Sequence, residues 1–330
     1  MNNFRLTYSY DGTTRDMTPY CSNIARSDQI DQLGEELTFD LIDNPLDANY
    51  KGNRLEFGGK VCFENNGKTV YTGIIEEESR DGLSTYKYKA YDYAWFLNKD
   101  QVFVQLVDCT ATDGIKKICN KKSIPLGEVA QMNTIINKVY NGDNIAKALK
   151  DIIAQETAAT GVEYRMEVRL DKLYIIKRND LKVKATYRIA PNEMPFDVTD
   201  VIGDYTAESS VKDIVTKVVV TSGREKDAAV IATAENKDAA KVYGEVVHYE
   251  TVTDKEKPDL CRKKISKRLK LFGSDEVRSG RVLTFKNNEL GLVGDFLVLS
   301  AAHTYDNLNH FMTLEIQSTK DNAEGVVQNA

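Results

Sequence analysis

Three dipeptides constrain the start of this chain more than anything else in it. Asp11-Gly12 separates FRLTYSY from TTRDMTPY, Asn66-Gly67 separates KVCFEN from KTVYTGII, and Asp81-Gly82 separates IIEEESR from LSTYKYKAY. Asn-Gly and Asp-Gly reach the positive φ angles that a type I′ turn needs, and all three are flanked by strand-forming residues. They predict an antiparallel barrel or sandwich over residues 1–107. Between the first two turns, Leu37, Phe39 and Leu41 alternate as the inward face of a further strand. The stretch Tyr86–Leu97, YKYKAYDYAWFL, holds the only Trp. Tyr86, Tyr88 and Ala90 alternate with Lys87 and Lys89, and then the phase slips to Tyr91, Tyr93 and Trp95. A slip of this kind predicts a bulged strand, with Trp95 buried under the Asn66-Gly67 and Asp81-Gly82 hairpins. Sugar stacking by Tyr91, Tyr93 or Trp95 is the other use of such an aromatic stripe.

From Cys109 the pattern changes. A short helix is expected over Gly114–Asn120, capped by Thr112 or Asp113. A second helix opens at Asp143-Asn144, with Ile145, Leu149, Ile152 and Ile153 on one face and Gly161 just past its end. VEYRMEVRL and KLYIIKR read as a hairpin, and VKATYRI as a third strand. Pro191 and Pro195 mark a linker. Beyond it, strands are expected over Asp213–Ser222, Val230–Thr233 and Tyr243–Val252, with a loop or helical turn over Glu235–Lys241. A helix is expected from Pro258 to Phe272, with Leu260, Ile265, Leu269 and Phe272 as its apolar stripe. Arg262, Lys263, Lys264, Lys267, Arg268 and Lys270 would make that helix basic. A solvated face suits those cations, and an acidic partner surface is the alternative. RVLTFKN, DFLVLSAAHTY and HFMTLEIQS read as closing strands before a polar tail.

The 330 residues carry a formal net charge of -6 and a pI of about 5.4, which argues against general nucleic-acid or membrane-surface binding. No apolar run approaches the ~18 residues of a membrane helix. The start, MNNFRLTYSYDG, lacks a basic region followed by an apolar one, so synthesis in a cytoplasm without signal-directed export is expected. Cys21, Cys62, Cys109, Cys119 and Cys261 form no CxxC pair and read as reduced thiols.

Candidate chemistry is sparse. Of His248, His303 and His310, the last two flank YDNLN and could face each other across a hairpin. Zinc would need a third ligand, for which Asp306 is the one candidate nearby. Glu76-Glu77-Glu78 reads as a solvated face. No G-x-S-x-G, phosphate loop or close Cys–His pair is present. The expectation is therefore no catalytic residue, no metal site and no cofactor.

The order of motifs resembles one family. YKYKAYDYAWFLNKDQVFVQLVDCTATDGIKKIC is similar to the XkdQ-like hub proteins of contractile phage tails and phage-tail-like bacteriocins. Ala90, Asp92, Trp95 and Leu97 match that family's A-x-D-x-x-W/Y-x-L strand, and Thr110, Ala111 and Ile115 match its T-A-x-x-x-I helix start. Ser210–Val218 resembles the entry to the family's second barrel. Leu292–Val298, His303 and His310–Leu314 resemble its closing strands. The resemblance implies an α+β, β-rich chain with two tail-tube-like antiparallel β-barrels, an α+β domain between them and an insertion in the second barrel. The expected boundaries are 1–107 for barrel one, 108–195 for the α+β domain, and 196–225 with 277–320 for barrel two. The insertion, with the basic helix, would be 226–276, and the tail 321–330. A homotrimer joining the tail tube protein to the spike protein, beside neighbouring baseplate proteins, is what the family implies. The alternatives are a tail-associated peptidoglycan hydrolase or a carbohydrate-binding module.

Overall fold

The computed structural model describes residues 3–47, 49–50, 52–189, 192–210, 214–222, 229–251, 264–306 and 309–319. It divides into two compact units, residues 1–204 with 269–315, and residues 205–268 with 316–330. Among the described residues no helix is long and apolar enough to cross a membrane.

The first unit opens with β1 (Phe4–Tyr10), β2 (Thr13–Asp16), β3 (Cys21–Gln29), β4 (Glu35–Ile42), β5 (Lys60–Asn65), β6 (Lys68–Asp81) and β7 (Thr85–Tyr91). They pair antiparallel in the order β2-β1-β5-β6-β7-β4-β3. Asp11 and Gly12 have φ of 47° and 73°, and Asn66 and Gly67 have 53° and 76°, as two-residue hairpin turns require. The third turn is longer, running from Gly82 to Ser84. Leu37, Phe39 and Leu41 point into the core with Leu6, Tyr8, Val61, Phe63, Tyr71 and Tyr88.

The aromatic stretch is not one bulged strand. β7 ends at Tyr91, and α1 (Ala94–Lys99) follows after a turn. The phase slip is therefore a change of secondary structure: Asp92 accepts from the Ala94 N–H and starts the helix. Trp95 lies on α1 and is only half-buried, not in the core.

β8 (Gln101–Thr110), α2 (Ala111–Lys121), β9 (Leu126–Val129), β10 (Ile135–Asn144), α3 (Ile145–Thr160), β11 (Tyr164–Arg169) and β12 (Lys172–Lys177) build the α+β region around its own core. Thr110, rather than Thr112 or Asp113, caps α2 by accepting from the Asp113 N–H. The Thr112 hydroxyl is turned inward, donating to the Ala130 and Met132 carbonyls. Asn144 caps α3, and Gly161 ends it at φ 73°. β11 and β12 form the expected hairpin, with Leu170 and Asp171 at φ 45° and 67°. Its third strand is β9, parallel to β12. The VKATYRI segment supplies β13 (Thr186–Tyr187), which pairs instead with β14 (Phe196–Asp197).

After β15 (Ile202–Ser210), the second unit contains β16 (Lys217–Ser222), β17 (Ala229–Glu235), α4 (Lys237–Tyr243) and β18 (Val247–Thr251). β16, expected to enter barrel two, lies in a separate sheet of order β17-β16-β18.

The chain closes with β19 (Lys264–Phe272), β20 (Val282–Asn287), β21 (Leu292–Asp306) and β22 (Asn309–Ser318). The expected basic helix is therefore a strand where it is described. Residues 252–263, with Arg262 and Lys263, lie outside the described residues. In β19, Leu269 and Leu271 are buried while Arg268 and Lys270 are exposed. That period of two was masked by a coincident helical spacing of Ile265, Leu269 and Phe272. β21 pairs antiparallel with β3, from Ser300↔Gln29 to Tyr305↔Ile24. Strands expected in separate barrels thus share one sheet, and no closed barrel is resolved among the described pairings.

Candidate functional site

The feature that stands apart from an ordinary β core is a buried ionic seam in the first unit. It lies where the segment 273–281, between β19 and β20, crosses β3, β4, β11, β21 and β22. On β3 the inward positions are Ile24, Arg26 and Asp28, and on β4 Glu35 precedes Leu37 in the same phase. Arg26, Arg165, Arg278 and Arg281 meet Asp28, Glu35, Glu167 and Asp275 there, so cations and carboxylates balance.

Each carboxylate has a defined set of partners. Asp275 accepts from Tyr305 Oη at 2.7 Å, Asn65 Nδ2 at 2.7 Å and Arg26 Nη2 at 3.2 Å. Glu35 lies 3.1 Å from Arg26 and accepts from Arg278 at 2.8 Å. Asp28 Oδ2 accepts from the Ser279 N–H and hydroxyl at 2.9 and 2.5 Å. Glu167 takes both Nη atoms of Arg281, at 3.0 and 2.9 Å, in the bidentate geometry that guanidinium favours. Burial raises the Glu167 carboxyl, but Arg281, Arg278 and Arg169 outweigh it and hold it at about 2. Burial and the Glu35 charge push Asp92, which adjoins the seam, up to about 8.

The two histidines belong to this seam. His303 Nδ1 and His310 Nε2 are 2.9 Å apart, and His303 Nε2 is 2.9 Å from the Val277 carbonyl. Both rings are about 1% exposed. Burial, Arg26 and His310 hold His303 well below its usual range. Burial takes His310 down to about 4, with Arg26 adding to this and Asp275 opposing it. Asp306 is exposed on the opposite face of β21 from His303 and Tyr305 and does not join them. Among the described residues no three His, Cys, Asp or Glu side chains are grouped as metal ligands.

The other sequence candidates take structural roles. Glu76 Oε1 accepts from Trp95 Nε1 at 2.7 Å and Lys99 Nζ at 2.9 Å, with that ammonium 4.4 Å from the indole centroid. Glu77 pairs with Lys89, and Glu78 with Arg54 and Tyr88. The acidic run is thus an ion-paired strip rather than a bare solvated face. Tyr91 donates to Glu36 at 2.8 Å and is half-buried, as is Tyr93. Burial raises the Cys21 and Cys119 thiols to about 12, which makes them poor nucleophiles.

Sequence reasoning missed the seam because charged residues on strands default to the wet face. The available signal was phase: Arg26 and Asp28 fall in register with Ile24, and His303 with Tyr305.

Comparison with known proteins follows the fold. The chain is similar to the prophage MuSo2 43 kDa tail protein of Shewanella oneidensis, at 12% identity and a TM-score of 0.70, covering 97% of this chain and 98% of that one. It is similar to a tail protein of Neisseria meningitidis MC58, at 11% identity and 0.62, over 96% and 97%. Prophage tail protein gp18 of Listeria monocytogenes EGD-e aligns at 9% identity and 0.55, over 98% and 100%. No curated protein sequence matches. The YQBQ-like family model matches residues 24–317, nearly the whole described chain, and the protein belongs to that family.

Proposed function

We propose that this chain is the structural hub of a contractile-tail baseplate, joining the sixfold tail tube to the threefold spike without catalysing a reaction. The observation that carries this reading is the fold shared end to end with the Shewanella oneidensis tail protein, 97% of one chain on 98% of the other. The membership of the YQBQ-like family and the motif order agree with it. In this proposal residues 1–107 supply the first tube-like half, and 196–225 with 277–320 the second. Three copies, each with two such sets of strands, present six similar faces to a tube and three to a spike. Cyclic assemblies make head-to-tail contacts, so the two sets meet through different surfaces. A permanent ring of this kind buries more than ~1,600 Å² at each contact. The proposed partners are the tube protein, the spike protein and neighbouring baseplate proteins, and the proposed location is the tail baseplate of a phage or bacteriocin particle.

The test is electron microscopy of purified tail particles. Three copies of the chain in one ring between tube and spike are expected. Six copies in a ring, or a particle in which the chain is absent, would overturn the reading. In parallel, the purified chain is expected to release no fragments from cell walls. Clear lysis that a single carboxylate substitution abolishes would replace the hub with a hydrolase.

A further inference from the structure

The hydrogen bonds of the histidine pair fix its tautomers when both rings are neutral. A carbonyl only accepts, so His303 must donate to Val277 from Nε2. A neutral His303 then carries no proton on Nδ1, which can only accept. His310 must therefore donate from Nε2 across the 2.9 Å gap. A proton added to His303 has one place to go, Nδ1, where it would meet the His310 N–H head-on. His303 can hold that proton only if His310 gives up its Nε2–H, so charging His303 forces the pair to rearrange.

Charged groups of both signs surround the pair. β3 brings Arg26 and Asp28, β4 brings Glu35, and β11 brings Arg165 and Glu167. The segment itself brings Asp275, Arg278 and Arg281, and β21 brings Tyr305, whose ring stacks 4.3 Å from that of His310. Arg26 and Arg278 are the cations that oppose a charge on His303. Asp275, 3.9 Å from Nε2, is the anion among the described residues that favours a charge on His310. The attachment of the segment runs through the same groups. The Gly273 N–H donates to the His310 carbonyl at 2.7 Å, and a Cβ at Gly273 would lie 2.1 Å from the His310 ring. Val277 is held by His303, and Asp275 by Arg26, Tyr305 and Asn65.

We propose that residues 273–281 form an acid-released strap, latched by the neutral His303–His310 pair and freed when those rings take up protons. Opening wets both rings, and a wet imidazole protonates near 6.5. The closed state excludes that proton. A group depressed in the closed state contributes stability that is complete above 6.5 and is lost as pH falls from there towards about 4, the His310 value. Each excluded proton raises the opening equilibrium by up to about ten-fold per pH unit in that window. This inference does not depend on the baseplate reading.

Hydrogen–deuterium exchange of the full chain between pH 7.5 and 5, corrected for intrinsic rates, tests it. Amides of 273–281 should open steeply below pH 6.5, while β4 and β7 stay protected. His303→Gln and His310→Gln should each flatten that dependence. Asp275→Asn, which weakens the strap but keeps both imidazoles, should open more at every pH and retain the steep slope. A strap protection independent of pH over this range overturns the proposal, as does opening only in step with β4 and β7. The wild-type measurement decides even if a histidine variant fails to fold.

Discussion

Arg26→Met removes a charge from the centre of the seam while keeping much of the side chain's apolar volume. The Arg26 side chain is 1% exposed and lies 3.1 Å from Glu35 and 3.2 Å from Asp275. Breaking a buried pair by deleting one partner costs about 3–5 kcal/mol, because the remaining charge is stranded in low dielectric. Here the remaining charges keep some partners. Glu35 retains Arg278, and Asp275 retains Tyr305 and Asn65. The lower end of the range, about 3 kcal/mol, is therefore expected. Arg5 provides the comparison: its pair with Asp16 spans 3.2 Å, but its side chain is 56% exposed. Arg5→Ala should cost about 0–1 kcal/mol, as exposed pairs do. Urea unfolding of both variants at pH 7, read from midpoints at a common slope, makes the measurement. The argument fails if Arg26→Met and Arg5→Ala lie within about 1 kcal/mol of each other, well inside the gap between the two ranges.

Two further outcomes follow from single side chains. Asp92 is buried and its carboxyl is raised to about 8, so the folded state holds a proton at neutral pH that the unfolded chain has released. Stability is then lost as pH rises from about 4 to 8, and Asp92→Asn should remove this loss, raising stability at pH 7 by on the order of 2–4 kcal/mol; unfolding curves at pH 5 and pH 7.5 with equal gains would refute the assignment. A Cβ at Gly73 would lie 2.3 Å from the Tyr71 hydroxyl and 2.5 Å from the Tyr91 carbonyl, so Gly73→Ala should cost about 1–3 kcal/mol in the same assay, and an unchanged midpoint would refute the clash.

Much of the fold was legible because its signals are local. The I′ turns at Asp11-Gly12 and Asn66-Gly67, the Asn144 cap and the Gly161 stop each depend on a backbone angle that few residues tolerate. The errors fell where two periods coincide or where tertiary context decides. Leu269 and Phe272 suit a helix as well as a strand until pairing partners are known. Trp95 follows a strand whose phase ends one turn earlier, and Asp92 is the residue that turns the chain. The seam was least legible of all. Arg26 and Asp275 are 249 positions apart, and no local pattern announces that a charge on β3 will find its counter-charge there.

A buried ionic seam is a poor way to gain stability, since apolar side chains of similar volume often do as well or better. Its value here lies in register. β3 joins β21 through a ladder whose backbone bonds alone are nearly indifferent to a shift by two residues. Arg26, Asp28 and Glu35 are not indifferent: a two-residue slip would set Arg26 where Asp28 now meets Ser279 and leave Asp275 without its cation. The expected outcome is specific. Combining Arg26→Met and Arg278→Met with Glu35→Leu and Asp275→Asn should restore most of the stability lost in Arg26→Met alone, because both members of each pair are neutralised and the amide oxygen can still accept from Tyr305 and Asn65. The combined variant should nevertheless broaden the resonances of β3 and β21 in methyl or amide spectra, as alternative registers become populated. Sharp, single resonances together with full stability would show that backbone pairing and apolar packing set the register unaided.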